Sequence, residues 1–230
     1  VVDNGSHEPI DPLVRTFGQA VAAYEATPGS YAARNTGITL AQGEIFAFID
    51  SDCLPASDWI ERGVARLVGT SNCGLVGGHV TLYPQDPQDP NAVECYEMFT
   101  EFPQKHFVEK LGFSGTGNLF TWKRVVEETG RFNAALQSGG DLEWGRRVRA
   151  RGYQLVYAGD VQVAHPARRT LADLYLRTVR VEAGLHRVRL KRGFAWVFYL
   201  VRQCVPSFGF ACRVIWDRRT KGVWRKLGVI

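Results

Sequence analysis

Short apolar runs alternate along this chain with stretches in which apolar residues recur every three or four positions. The runs predict strands, and the helical spacing predicts helices. We expect strands at residues 44–49, 75–83, 112–120 and 153–157. We expect helices at residues 12–27, 31–40, 55–68, 122–128, 141–151 and 171–190. Strands that alternate with helices are typical of an α/β layer fold.

The two ends of the chain differ from this pattern. Residues 1–6, Val-Val-Asp-Asn-Gly-Ser, are typical of a strand that ends in a turn. Residues 165–230 hold 15 Lys+Arg and 3 Asp+Glu, whereas residues 1–164 hold 13 and 20. We therefore expect one domain over residues 1–165 and a basic, amphipathic helical extension over residues 166–230. An acidic body is not typical of a nucleic-acid-binding core, so we expect no nucleic-acid partner.

The basic extension suits either an anionic membrane surface or simple solvation. No apolar run reaches the ~20 residues that cross a bilayer. The nearest, residues 193–216, is interrupted by charged residues and a proline, so it is amphipathic rather than spanning. The five cysteines are widely spaced and form no C-x-x-C pair, which favours a reducing compartment over a disulfide scaffold. We expect a cytoplasmic protein, peripheral on the inner face of the cell membrane.

Two carboxylates, Asp50 and Asp52, directly follow the apolar run at residues 45–49. In open α/β sheets, ligands bind just outside the carboxyl ends of the strands. Carboxylates there need a compensating cation, and a hard divalent ion takes one or two carboxylates together with phosphate oxygens. The pattern therefore indicates a site for a metal and a nucleotide, although two surface turn aspartates would give the same pattern.

These aspartates belong to a longer series of motifs. A-R-N-T-G, A-Q-G-E, an apolar strand, D-S-D and P-A-S-D-W follow one another over residues 33–59. The series resembles the central signature of glycosyltransferase family 2. The resemblance implies the GT-A fold of that family, a mostly parallel twisted sheet with helices on both faces. It also implies that the first strand and helix of that fold would precede Val1.

The resemblance assigns roles on the donor side. Asp3 would contact the nucleobase of a nucleotide-sugar donor, and Arg34 would lie near its uridine and diphosphate, unless Arg34 is simply an exposed helix arginine. Asp50 would face the ribose or the metal, and Asp52 would bind the metal. The donor-binding set is Asp3, Arg34, Asn35, Asp50 and Ser51. His165 resembles a third metal ligand of some related transferases, whereas a lone histidine is more often structural.

Residues 139–144, Gly-Gly-Asp-Leu-Glu-Trp, resemble the family's acceptor-side motif, in which a further acid usually stands in place of Gly140. Asp141 falls on the carboxylate that acts as general base in inverting members. Such a base accepts the proton of the acceptor hydroxyl as that hydroxyl attacks the anomeric carbon. The alternative is that Asp141 only caps a helix, with Glu143 as a first-turn partner of the helix dipole.

Four residues form the acceptor-binding set. Small residues at 114–117 permit a ligand to approach the backbone closely. The indole of Trp144 is either a platform for the acceptor sugar or part of the core. The set is Gly117, Asn118, Glu143 and Trp144.

The resemblance implies that the enzyme transfers one hexose from a nucleotide-sugar donor to a glycan or lipid-linked acceptor, with inversion. We expect the donor to be UDP-linked and the cofactor to be Mn²⁺ or Mg²⁺. The Q-x-x-R-W motif of processive synthases does not occur in the sequence. We therefore expect a non-processive enzyme of polysaccharide or surface-glycan biosynthesis. Two alternatives stay open: a nucleotidyltransferase, which shares the acidic metal site, and a non-catalytic module that binds nucleotide sugars.

Overall fold

The computed structural model describes residues 1–100 and 102–189, and over this range helices and strands are interspersed along the chain. The strands are β1 (Val2–Asp3), β2 (Ala23–Tyr24), β3 (Ile45–Ile49), β4 (Leu54–Pro55), β5 (Cys73–Tyr83), β6 (Asn118–Trp122) and β7 (Gln154–Pro166). The helices are α1 (Asp11–Val14), α2 (Ser30–Leu40), α3 (Trp59–Gly69), α4 (Ala92–Thr100), α5 (Gln104–His106), α6 (Lys123–Thr129), α7 (Gly140–Ala150) and α8 (Leu171–Arg189), and a π-helix, Phe107–Leu111, follows α5.

The main sheet of the described residues has the strand order β3-β6-β5-β7-β4. Strands β3, β5 and β7 run in one direction, because β6 pairs antiparallel with both β3 and β5 while β5 and β7 are parallel. Strands β1 and β2 form a separate parallel pair. The carboxyl ends of β3, β5 and β7 therefore meet at one edge of the sheet. Asp50 directly follows β3, and His165 lies near the end of β7.

Side chains on the two faces of the sheet build two hydrophobic clusters. Leu75 and Leu119 point to one face and belong to a cluster with residues of α2, α6 and α7. Their neighbours Val76 and Phe120 belong to the other cluster, which Trp59 and Leu67 of α3 complete. Neighbouring strand residues alternate between faces, so helices cover both sides of the sheet. The predicted α/β architecture is confirmed.

The predicted helix over residues 12–27 is wrong. Only α1 is helical there, and turns and β2 follow it. The apolar residues of the predicted face, Phe17 and Val21, are exposed to 56% and 65%. Most of the stability of an amphipathic helix comes from packing of its apolar face, and here that face has no core to cover.

Two strand boundaries also differ. The predicted strand over residues 112–120 is a strand only as β6, and residues 114–117 form a loop. The strand predicted at 153–157 continues to Pro166, because a bulge interrupts the pairing without ending it. Gly78 pairs with Ala158, but the next residue, His79, pairs with Gln162. Residues 159–161 are thus extra, an enlarged bulge beyond the single residue that is usual, and the continued strand brings His165 to the site edge of the sheet.

The predicted extension begins with α8, which is helical as expected. Residues 190–230, and with them the amphipathic segment at 193–216, lie outside the described residues. Cys53, Cys73 and Cys95 are buried, and none of the three forms a disulfide within the described residues. Among the helices that the structure describes, none combines the length and the hydropathy that a membrane crossing requires.

Candidate active site

Asp52 and His165 lie side by side where β3 and β7 reach the same edge of the sheet. His165 Nε2 is 3.5 Å from Asp52 Oδ2. The carboxylate side chain is 55% exposed, and the imidazole is 14% exposed. Two adjacent ligand atoms of an octahedral Mg²⁺-type ion are about 3 Å apart. The spacing of this pair therefore suits a divalent ion bound on its open side.

The orientation of the His165 ring supports metal binding. Its Nδ1 is 2.7 Å from the carbonyl oxygen of Pro166. A carbonyl only accepts a hydrogen bond, so Nδ1 donates to Pro166, and Nε2 is the ring nitrogen that faces Asp52. Metal-binding histidines commonly donate their second ring N–H to such a carbonyl, which fixes the tautomer and the ring orientation. Asp52 and His165 are thus a matched carboxylate and imidazole pair.

Cys53 completes a group of three donors whose ligand atoms all lie within 4.8 Å of one another. Burial, together with the charges of Asp50 and Asp52, raises the pKa of the Cys53 thiol to about 12. The thiol is therefore protonated at neutral pH, and only a thiolate binds metals well. Asp52 supplies an oxygen and His165 a nitrogen, and a divalent ion can take both kinds of ligand. The donor set fits a divalent ion held by Asp52 and His165.

A cleft of about 600 Å³ opens beside this pair. Asp52 and His165 line one part of it, and Arg168 and Arg169 line another. One residue, Ala167, separates the two arginines from the end of β7. The cleft therefore combines a metal-binding pair with two guanidinium groups, a combination that suits phosphate oxygens.

Two buried glutamates of α4 hold these arginines in place. Glu97, 3% exposed, accepts hydrogen bonds from the Arg168 backbone N–H at 2.7 Å and from its guanidinium at 2.9 Å. Glu94, 2% exposed, lies 3.5 Å from the guanidinium of Arg169 and accepts the backbone N–H of Asn91 at 2.8 Å. Neither glutamate was predicted as a site residue from the sequence. Their spacing of three on a largely apolar helix could have indicated buried acids that need cationic partners.

The other carboxylate of the D-S-D motif belongs to a second group. Asp50 Oδ1 accepts a hydrogen bond from Arg34 Nη2 at 2.7 Å. Gly117 lies against the same carboxylate, since a Cβ at Gly117 would be 3.1 Å from Asp50 Oδ2. The next carboxylate in this group is Asp141, whose Oδ1 is 3.4 Å from the hydroxyl of Thr116.

Asp141 is the acid with a raised pKa in this group. Burial raises the pKa of its carboxyl from 3.8 to about 6; Arg34 opposes the rise, Asp50 adds to it, and the hydrogen bonds of Thr116 lower it. A carboxylate whose pKa lies near neutrality is suited to accept a proton at physiological pH. Asp141 does not cap α7: the N-cap is Gly139, and no side chain of the cap residue bonds the helix end.

Three residues assigned to the site from the sequence make structural contacts. Asn35 donates to the Phe132 carbonyl and accepts the Phe132 N–H, so the nitrogen and the oxygen of its amide both bond the backbone. Asn118 is fully buried: it accepts from the Trp59 indole at 2.9 Å and donates to two backbone carbonyls. Trp144 is 1% exposed and packs on Phe132 at 5.2 Å. Its proposed role as an acceptor platform is wrong, because a buried indole offers no surface to a ligand.

The remaining predicted residues, Glu143, Asp3 and Ser51, are partly or fully exposed. Glu143 forms an ion pair with Arg147 one helical turn away, at 2.8 Å. Asp3 accepts the backbone N–H groups of Gly5 and Ser6, and the hydrogen bond from Ser6 is the main cause that lowers its pKa. Ser51, between the two aspartates of the D-S-D motif, is exposed. These contacts neither support nor contradict the roles predicted for the three residues, which stay predictions.

The chain is similar in sequence to known glycosyltransferases. Residues 1–129 match the family described as Glycosyl transferase family 2. The chain belongs to this family. AglE, a glycosyltransferase of Haloferax volcanii, is 39% identical over 218 residues, which cover 90% of this chain and 70% of AglE. The pre-mycofactocin glycosyltransferase of Mycobacterium tuberculosis is 24% identical over 184 residues, 77% of this chain and 39% of that enzyme.

Solved structures support the GT-A fold. The mannosyltransferase PcManGT of Pyrobaculum calidifontis, solved in complex with GDP-Man and Mn²⁺, superposes with a TM-score of 0.59 at 20% identity and covers 84% of this chain and 55% of its own. GalNAc-T7 with UDP, GalNAc and Mn²⁺ superposes with a TM-score of 0.55 at 15% identity, over 73% of this chain and 36% of its own. The glycosyltransferase prediction is confirmed, and the nucleotidyltransferase alternative is dropped.

Proposed function

We propose that the chain transfers a hexose from a nucleotide-sugar donor to a hydroxyl of a glycan or lipid-linked acceptor, with inversion and with the help of Mn²⁺ or Mg²⁺. One observation carries this proposal. The two carboxylates of the D-S-D motif face different partners: Asp52 lies beside His165, and Asp50 lies with Arg34 in the group that includes Asp141. A metal-binding pair and a base of raised pKa thus flank the end of one strand.

The donor diphosphate fits the cleft on the side of Asp52. Asp52 and His165 would hold the ion, which when bound offsets the negative charge that develops on the leaving diphosphate. Arg168 and Arg169 line the same cleft and add positive charge for the phosphate oxygens. We propose UDP as the nucleotide and test GDP beside it, because GalNAc-T7 was solved with UDP and PcManGT with GDP-Man.

Asp141 is proposed as the general base on the acceptor side. An acceptor hydroxyl attacks the anomeric carbon, the bond from that carbon to the diphosphate oxygen breaks, and the hydroxyl proton passes to the Asp141 carboxylate. Asp50 is two residues from Asp52 along the chain, pairs with Arg34, and acts on the Asp141 carboxyl through its charge, so in this proposal the donor and acceptor groups share one surface. The single displacement inverts the anomeric centre.

Calorimetry with UDP and GDP, with and without Mn²⁺, tests the donor site. Wild type and Asp160→Ala, which removes a surface ion pair with Arg66, should bind one of the nucleotides only with Mn²⁺, and Asp52→Ala should abolish that binding. Binding that is the same without metal, or that survives in Asp52→Ala, would contradict the site. If the chain binds UDP or GDP with Mn²⁺ but turns over no UDP- or GDP-hexose, it is the non-catalytic module instead.

We further propose that α8 rests on an anionic membrane surface that supplies a lipid-linked acceptor. Its apolar side chains at helical spacing are exposed to 47–73%: Leu171, Tyr175, Leu176 and Val179. The helix also borders the acceptor side, because a Cβ at Gly184 would lie 2.5 Å from the backbone oxygen of Ser138, just before α7. Exposed apolar groups beside basic residues bind anionic lipid interfaces.

Cosedimentation with vesicles tests this surface. Wild type should pellet with phosphatidylglycerol vesicles and less with phosphatidylcholine vesicles, and Leu176→Glu should weaken the binding. Val68→Glu on α3 is the matched control, since Val68 is also an exposed apolar helix residue, at 59%. Equal loss in both variants, or no binding of wild type, would contradict the proposal.

A further inference from the structure

The hydroxyl of Tyr31 occupies the N-terminus of the helix that carries Asp141. Tyr31, on α2, is 5% exposed, and its ring stacks on Phe132 at 5.8 Å between centroids. Its Oη accepts the backbone N–H of Gly140 at 3.0 Å and that of Asp141 at 3.3 Å. The first N–H groups of a helix have no partner within the helix. A side chain from a distant helix therefore satisfies two of them.

Gly140 makes this contact possible. A Cβ at Gly140 would lie 2.7 Å from two ring carbons of Tyr31, which is closer than side-chain atoms approach one another. The backbone of Gly140 has an ordinary negative φ, so the ring, and not the backbone conformation, excludes a side chain there. Tyr31 and Gly140 thus form a complementary pair in which the phenol takes the space beside the first turn of α7.

Tyr31 also connects Asp141 with the donor side. The guanidinium of Arg34, one turn further along α2, lies 5.6 Å from the centre of the Tyr31 ring. The same guanidinium pairs with Asp50. Helix α2 therefore presents one side chain to the start of α7 and another to the D-S-D motif. Burial, followed by the charge of Asp141, raises the pKa of Tyr31 to about 12, so the phenol stays neutral across the physiological range.

We propose that Tyr31 is a positioning residue for the base: its hydroxyl fixes the first turn of α7 and so sets the place of the Asp141 carboxylate against the donor. This inference rests on the proposed function, since it needs Asp141 to act as base. A displacement of about 1 Å at a reacting group can cost about 100-fold in rate. Loss of the hydroxyl should therefore act on the chemical step and spare donor binding.

Steady-state kinetics of Tyr31→Phe test the positioning role, with nucleotide release from UDP-glucose, UDP-N-acetylgalactosamine and GDP-mannose as the assay. We expect kcat to fall about 10- to 100-fold, with KM for the donor and Kd for the nucleotide within about twofold of wild type. Tyr153→Phe, which removes a phenol bound to Glu128 on the surface, should change neither. A kcat of Tyr31→Phe within twofold of wild type, or equal losses in donor affinity and kcat, would overturn the role.

A stability cycle tests the contact without any activity. Gly140→Ala should lower Tm by about 5 °C in wild type, as expected for overpacking, and much less in Tyr31→Leu, where the ring is gone. Gly69→Ala is the control, because no atom lies within 4 Å of a Cβ there. The same loss from Gly140→Ala in both backgrounds would overturn the contact. A chain that turns over no nucleotide sugar but passes this cycle would refute the proposed function alone.

Discussion

Replacing Asp141 by asparagine should stabilise the fold while it removes activity. Burial raises the pKa of this carboxyl from 3.8 to about 6. Because the folded pKa is above the unfolded one, the group favours folding while it is protonated, and this contribution is lost as the pH rises from about 4 to about 6. At neutral pH the wild-type carboxylate is therefore destabilising. Asparagine has nearly the same shape and no charge.

The size of the gain follows from the shift. About two pKa units at about 1.4 kcal/mol each set a ceiling of about 3 kcal/mol. This shift already includes the opposing attraction of Arg34, and solvent screens the partly exposed side chain, so we expect about 1–3 kcal/mol at pH 7.5, or a Tm that is about 3–8 °C higher for a chain of this size. At pH 4.5 the gain should shrink to about a third, because wild-type Asp141 is then largely protonated in the folded state.

Thermal unfolding at both pH values, together with a turnover assay, measures the two effects. Loss of the base should lower kcat by about 10²–10⁴-fold. Asp160→Asn is the matched control: a hydrogen bond from Arg66 lowers the pKa of Asp160, so its loss should destabilise the fold at pH 7.5 and leave turnover unchanged. The reasoning is refuted if Asp141→Asn lowers Tm at pH 7.5, or if its gain is the same at pH 4.5.

Three further predictions concern the same chain. The kcat/KM of wild type should fall as the pH drops through about 6, since Asp141 accepts a proton only as the carboxylate; a pH–rate profile that is flat to pH 5 would contradict this. Asn118→Leu should cost about 2–5 kcal/mol in urea unfolding, because it leaves the Trp59 indole and two carbonyls without partners; a loss under 1 kcal/mol would count against a structural role. Glu97→Gln should raise KM for the donor several-fold more than it changes kcat, since Arg168 loses its charged anchor; steady-state kinetics with equal effects would show otherwise.

The order of motifs along the chain predicted much of the donor side. A carboxylate pair after an apolar strand lies at the ligand-binding edge for a reason of topology, and the D-S-D motif is found there. His165 was harder to place. Its position depends on a bulge that inserts residues 159–161 into β7, and the sequence shows only a glycine at that point.

Residue type alone could not separate site residues from core residues. Asn35 and Trp144 are suited to bind ligands, yet the same polar groups satisfy buried backbone atoms far away in sequence. Asn35 bonds Phe132, 97 residues along the chain. Tyr31 illustrates the reverse case, since an apolar-looking helix position holds a hydroxyl that reaches Gly140, 109 residues away. Such contacts depend on the folded arrangement of helices and have no local sequence signal.

One comparison tests the central claim, that a metal–diphosphate site and a catalytic base flank the same strand end. Nucleotide binding and nucleotide release from UDP- and GDP-hexoses are measured with Mn²⁺ for wild type, Asp52→Ala and Asp141→Asn. We predict that Asp52→Ala loses both binding and turnover, while Asp141→Asn keeps the wild-type Kd and loses turnover. Turnover retained by Asp141→Asn, or nucleotide binding lost together with it, would contradict the account.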